Sequence, residues 1–202
     1  MQAYKAHASL TGWQDRIGEK LHALTCVADQ GVVSVAGFVT SILIGRSAPS
    51  ELGVYYIAMS IVLFVKGIQH QMIAIPYTIY QHQRSGSDSD QYRGSCLTQH
   101  FGLMVFALVI MLGITIALCL GFGSSDIIPS LVVLLALIPV LMLRELARHY
   151  CFTHEKNLAA FAIDFSISLL QIGALFCLGY LGFLSGASAW AVIGLCLSLI
   201  HI

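Results

Sequence analysis

Between Gly31 and Gly45 the chain carries a nearly unbroken apolar run, opened by Asp29-Gln30 and stopped by Arg46-Ser47-Ala48-Pro49-Ser50-Glu51. A second run starts at Gly53-Val54-Tyr55-Tyr56 and continues past Lys66 to Pro76-Tyr77. About 20 apolar residues cross the hydrocarbon of a bilayer, so this pattern predicts two spanning helices, about residues 24–47 and 52–80, joined by a tight polar hairpin. The second exceeds that length and is expected to tilt or protrude, with Pro76 kinking its far end. The alternation continues downstream and predicts helices at about 96–122, 127–150, 158–181 and 187–202. Residues 81–95, with Arg84, Asp88, Asp90 and Arg93, read as a hydrophilic loop, and 121–126 and 153–157 as short turns. About 15 residues are too few for a span, so the sequence is expected to stop inside its sixth helix.

Ahead of the first span, Leu10, Trp13, Ile17, Leu21 and Leu24 recur at three- and four-residue steps, while Lys5, Arg16 and Lys20 fall elsewhere. This predicts that residues 1–23 form a cytoplasmic amphipathic segment lying at the membrane surface, with Trp13 at headgroup level. A frayed, solvated tail is the alternative.

Composition narrows the class. The 202 residues are 57% hydrophobic and 10% charged, against roughly 25% charge in soluble domains. The expected fold is an all-α polytopic membrane helical bundle with residues 24–202 as one transmembrane lobe. A net charge of zero excludes a strongly basic nucleic-acid binder, and no RNA- or DNA-binding motif occurs. The six cysteines stand singly with no C-x-x-C pair, which argues against a disulfide framework or a zinc site. The first 20 residues are polar and include Asp15 and Glu19, unlike a cleavable signal peptide. Eight lysines and arginines fall in the N-terminal segment, the 84–93 region and the 144–156 region, and Arg46 alone falls on the other side. That asymmetry puts the N-terminus in the cytoplasm.

The candidate chemistry lies at membrane depth. Lys66 is about 20 Å into the second helix at 1.5 Å per residue, and Gln69 and His70 share its face. Such a cluster suits a hydrated cavity that receives an anionic substrate; a snorkelling lysine or a locked ion pair is the structural alternative. Asp29 and Asp164 lie in the cytoplasmic third, where either could neutralise Lys66 or His70 or carry a coupling proton or sodium ion; helix capping is the competing role. Arg46 closes the first helix, where a cation also suits the helix dipole. Arg144 and Arg148 form an i, i+4 pair suited to lipid headgroups or a diphosphate, and Glu145 and His149 form a second pair. His154-Glu155 is not followed by a histidine at 158, so no H-E-x-x-H zinc motif forms. The histidines show no metal-ligand spacing, no catalytic constellation assembles, and no cofactor is implied.

The first helix ending in Gly45-Arg46, followed by Pro49-Ser50-Glu51-Leu52-Gly53-Val54-Tyr55, resembles the opening of bacterial oligosaccharide flippases. These are the polysaccharide-biosynthesis membrane proteins of the multidrug, oligosaccharidyl-lipid and polysaccharide exporter superfamily. Arg144-Glu145-Leu146-Ala147-Arg148, with Asp164 in the fifth helix, is similar to a second recurring stretch of that family. The resemblance covers most of residues 24–200 and implies one six-helix lobe of a two-lobe exporter. It implies a lipid-linked oligosaccharide flipped across the bacterial inner membrane for lipopolysaccharide or other surface polysaccharide, driven by a proton or sodium gradient. It also implies Lys66 and Arg46 as contacts for the diphosphate or acidic sugars, membrane lipids as neighbours, and a polysaccharide polymerase or other assembly protein as partner. A small-molecule antiporter of the same superfamily and a non-transporting membrane scaffold remain as alternatives. A membrane-bound transferase would need a catalytic pair that does not assemble.

Overall fold

The computed structural model describes the backbone of residues 2–81, 83–154 and 156–199, and the side chains of 24–81, 83–154 and 156–198. Six helices follow one another: α1 (Gln2–Ser47), α2 (Glu51–Gln81), α3 (Ser87–Cys119), α4 (Ile128–Thr153), α5 (Asn157–Tyr180) and α6 (Gly186–Leu199). A 3₁₀ turn, Ser125–Ile127, leads into α4. The fold is an all-α membrane bundle, and five of its helices are long and apolar enough to cross a bilayer. α6 is apolar but shorter.

The backbone of α1 is continuous through Gln2–Ser47. The side chains of residues 1–23, on which the expectation of a surface segment anchored by Trp13 depends, lie outside the described residues.

The expected hydrophilic loop at 81–95 is mostly helix. Gly86 turns the chain at φ +61°, and α3 starts at Ser87. Asp88 and Asp90 fall in its first turn, where the helix dipole favours acids. Arg84 pairs with Asp88 at 3.1 Å and Arg93 with Asp90 at 3.6 Å. These charges therefore decorate a helix that starts before its apolar run does.

α2 contains a π turn, His70–Ala74, in which the Ile75 N–H bonds to the His70 carbonyl. Pro76 stands just beyond it. Proline has no N–H to continue an α ladder and its ring crowds the preceding turn, and a wider turn relieves that crowding.

α4 lies at the centre. It packs along α6 and α3, while α1 packs chiefly along α5. In the most apolar stretch of α4, 39% of residues are buried, against 17–22% in the other spans. The core joins Leu131, Leu134, Ile138 and Met142 of α4 to Ile44, Leu175 and Leu197. Trp190 of α6 is buried there and stacks on Tyr55 of α2, ring centroids 5.2 Å apart. Gly194 lets α6 approach α4 closely: a Cβ at that position would lie 1.8 Å from Leu137 Cδ2. At the end of the bundle that carries the 48–50 and 181–185 turns, Glu51 accepts a hydrogen bond from the Gly186 N–H at 3.2 Å. The α1–α2 hairpin is thereby tied to the N-terminus of α6.

Candidate functional site

Six charged side chains from four helices meet in one layer. Counted at 1.5 Å per residue from the end with the 48–50 and 181–185 turns, Lys66, Arg144, Glu145, Arg148, Asp29 and Asp164 all lie about 22–30 Å along their helices. Arg144, Glu145 and Arg148 project from consecutive turns of α4. An i, i+4 spacing aims both arginines the same way, and the one-residue offset turns Glu145 toward a different neighbour.

The arginines face α1 and α5. Arg144 pairs with Asp164 at 2.5 Å. Arg148 hydrogen-bonds Asp29 of α1 and also meets Asp164, Nε to Oδ2, at 3.1 Å. Asp29 is fully buried and Asp164 nearly so. Glu145 faces α2, where its Oε2 meets Lys66 Nζ at 2.6 Å. Its other oxygen lies 3.4 Å from His149 Nε2 and 3.9 Å from Arg148. Three acids thus face three permanent bases, and the formal charge of the layer sums to zero without its histidines. Removing an ion from water costs several kcal/mol, and balanced pairing at hydrogen-bond distance offsets that cost.

The Lys66, Gln69 and His70 face of α2 turns to α4. Gln69 is buried; its amide donates to the Met142 carbonyl at 2.9 Å and lies 3.4 Å from His100 of α3. His70 Nδ1 lies 3.2 Å from His149 Nε2. The structure therefore joins Lys66, His70, Asp29, Asp164, Arg144 and Arg148 in one network through Glu145 and His149, while Gln69 bonds separately to Met142 and His100. It corrects two pairings. Asp29 and Asp164 neutralise the α4 arginines, and Lys66 takes Glu145, because the one-residue offset turns Glu145 to α2 while Arg144 and Arg148 face α5 and α1. Arg144 and Arg148 point inward, where their side chains are 19% and 12% exposed. Arg46 does not join them. It is exposed at the far end of α1, one short turn before α2 begins.

Two hollows adjoin the network. A cavity of about 260 Å³ between α4, α5 and α6 is lined by Arg144, Arg148, Asp164 and Cys151. A narrower cleft of about 120 Å³ runs from Lys66 and Arg144 past Gln171 and Ser168 to Tyr55 and Trp190. Lys66 keeps 29% of its side chain exposed while paired and stands in the wall of this cleft.

Sequence reasoning paired Glu145 with His149 and missed Glu145 as the partner of Lys66. It also missed His100 as the neighbour of Gln69. The usable signal was the match, Arg46 at the end of the first helix apart, between three acids, Asp29, Glu145 and Asp164, and three bases, Lys66, Arg144 and Arg148, within the predicted spans. Which acid meets which base depends on helix adjacency, and apolar periodicity does not encode that.

Comparison of the chain with protein-family models, with curated proteins and with solved structures finds no match in any of the three.

Proposed function

We propose that this multi-pass membrane protein is a transporter lobe that moves a lipid-linked oligosaccharide across the bacterial inner membrane, with its N-terminus in the cytoplasm. The role is non-enzymatic, and a polysaccharide polymerase or other assembly protein is its natural neighbour. The observation that carries this reading is Lys66: an ammonium at membrane depth, paired with Glu145, on a partly exposed side chain that lines a cleft with Arg144, Gln171 and Tyr55. Ionisable groups inside spans line substrate and ion pathways by default, because a lipid-facing charge is expensive. A diphosphate-linked sugar offers the complementary chemistry: an anionic headgroup for the ammonium and a polyprenyl tail for the lipid. The resemblance of 45–55 and 144–148 to the oligosaccharide flippases supports this substrate class.

The test is flipping of a fluorescent short-chain polyprenyl-diphosphate sugar by the protein in liposomes. Lys66→Leu is expected to slow flipping about tenfold or more, the scale of a lost charge-assisted hydrogen bond, and Lys66→Arg to retain part of the rate. Full-rate flipping by Lys66→Leu at normal yield would remove the proposal.

One observation favours a second reading. The layer is stoichiometrically neutral, as a purely structural clasp in a non-transporting scaffold would be. A clasp predicts that Lys66→Leu lowers membrane yield and that adding Glu145→Leu restores it, with no flipping in any variant.

A further inference from the structure

His70 of α2 and His149 of α4 turn ring nitrogens toward each other, Nδ1 to Nε2, at 3.2 Å, with ring centroids 4.9 Å apart. Two imidazole nitrogens at that distance hold one proton between them, one donating and one accepting. The distance and angles are those of a hydrogen bond. The same His149 nitrogen lies 3.4 Å from Glu145 Oε1, while Glu145 Oε2 is held by Lys66 at 2.6 Å. One carboxylate stands between two bases.

The backbone marks the same place. His70 is the first residue of the π turn His70–Ala74. Single π turns inside α-helices concentrate at functional sites, because the widened turn aims a side chain where regular helix would not. This one begins at the residue that meets His149 and shifts the phase of α2 beyond it.

We propose that His70 and His149 form a proton-binding pair that competes with Lys66 for Glu145. In the neutral state, Glu145 is the partner of Lys66, His149 donates its Nε2–H to His70 Nδ1, and His70 carries its own proton on Nε2. A further proton from water then adds to the bare Nδ1 of His149, which becomes an imidazolium; no other bond breaks, and the proton returns to water on release. The layer then carries one positive charge in excess. Glu145 turns toward the new cation, its hold on Lys66 weakens, and the ammonium is freed toward the cleft. Among the described residues, Glu145 of α4 meets the pair directly, Lys66 of α2 and Arg148 of α4 meet it through Glu145, and Arg144 of α4, Asp29 of α1, Asp164 of α5 and His100 of α3 beyond Gln69 complete its charged and titratable surroundings. Both other acids are engaged by arginines, which leaves Glu145 as the one able to exchange partners. His100 is fully buried against the Gln69 amide, with no acid at its ring. Use of the pair to drive the transporter rests on the function proposed above; its titration does not.

Nitrogen-15 histidine spectra of the protein in lipid nanodiscs, recorded between about pH 5 and 8 where imidazole changes charge, test the proposal. The wild type is expected to show His70 and His149 titrating as a coupled pair. Glu145→Gln removes the favourable anion and is expected to lower the midpoint of the pair by about one pH unit, a tenfold loss of proton affinity. Lys66→Leu removes the competing cation and is expected to raise it by a similar amount, while Lys66→Arg leaves it in place. Charge alone moves the two midpoints in opposite directions, so the exchange of partners is read at Lys66: its ammonium nitrogen signal is expected to change with the midpoint of the pair in the wild type and to lose that change in His149→Phe, and a Lys66 signal that ignores the pair overturns the proposal. Midpoints that stay still, or that move the same way in Glu145→Gln and Lys66→Leu, overturn the proposal. If Glu145→Gln does not fold, an unmoved midpoint in Lys66→Leu alone overturns it. A pair that titrates as stated in a protein that flips no lipid supports the proton site and removes only the transporter. Flipping with unmoved midpoints removes only the proton site.

Discussion

Arg148 of α4 donates to Asp29 of α1 across 119 residues of sequence, and the same guanidinium faces Asp164 of α5 at 3.1 Å. One side chain thereby fastens three helices. Asp29 is fully buried, so it depends on this contact to remain charged away from water.

Removing that cation should therefore cost more than removing an ordinary arginine. Arg148→Met is expected to destabilise the folded bundle by about 3–5 kcal/mol, the usual effect of stranding a buried charge. Adding Asp29→Asn should recover part of the loss, whereas Asp164→Asn should not, because Asp164 is still the partner of Arg144. Folded yield and thermal stability in detergent measure this. An Arg148→Met protein as stable as wild type would show that the acids find other partners.

Gly194 should tolerate no side chain. The Cβ of alanine there would lie 1.8 Å from Leu137 Cδ2 and 3.0 Å from its Cγ. Gly194→Ala is expected to cost about 1–3 kcal/mol, the range for overpacking a filled interface. Gly102→Ala, whose Cβ would meet nothing within 4 Å, should be neutral or slightly stabilising. Paired melting curves decide; equal shifts for the two variants would contradict the close α4–α6 contact.

Glu51 should act as a latch on α6. Its carboxylate meets the Gly186 N–H at 3.2 Å, where the helix dipole favours an anion. Glu51→Gln keeps an acceptor and removes the charge, so a loss of about 0.3–1 kcal/mol is expected, and Glu51→Leu should lose more. Hydrogen exchange at the first turn of α6 is the direct measure, and unchanged protection in Glu51→Leu would deny the latch.

The charge asymmetry sets a topology. Cysteines placed for labelling near the N-terminus and at Ser85 should be protected from a membrane-impermeant reagent in intact cells, and one at Ser125 should react. Reversed labelling would invert the bundle and place the charged layer nearer the outer face.

Hydropathy revealed the spans because each one needs an apolar run. It missed the first turns of α3 for the same reason. Ser87 to Ser95 is helical, but its acids and Arg93 suit water, and a hydropathy pattern reports the bilayer and not the hydrogen-bond ladder. Pro76 flagged a distortion in α2. The relief falls earlier, at His70–Ala74, since the proline disturbs the turn that precedes it. Lys66, Asp29 and Asp164 stood out as charges at depth. Their partners did not, because Glu145 is 79 residues from Lys66 and belonged in sequence to what looked like a charged helix end. Arg46 was chosen by residue type, and its place at the other end of α1 follows from helix length alone.

The order of synthesis gives the α1–α4 contact a further consequence. Asp29 leaves the ribosome 119 residues before Arg148, which at about 5–20 residues per second is an interval of roughly 6–24 seconds. For that interval the first three helices hold an acid and a lysine with neither final partner present. Until α4 arrives, α1 and α2 must either stay beside the insertion machinery or keep those side chains in water. A nascent chain stalled before residue 128 should therefore crosslink from α1 to the insertion machinery, and one stalled after α4 has cleared the ribosome should not.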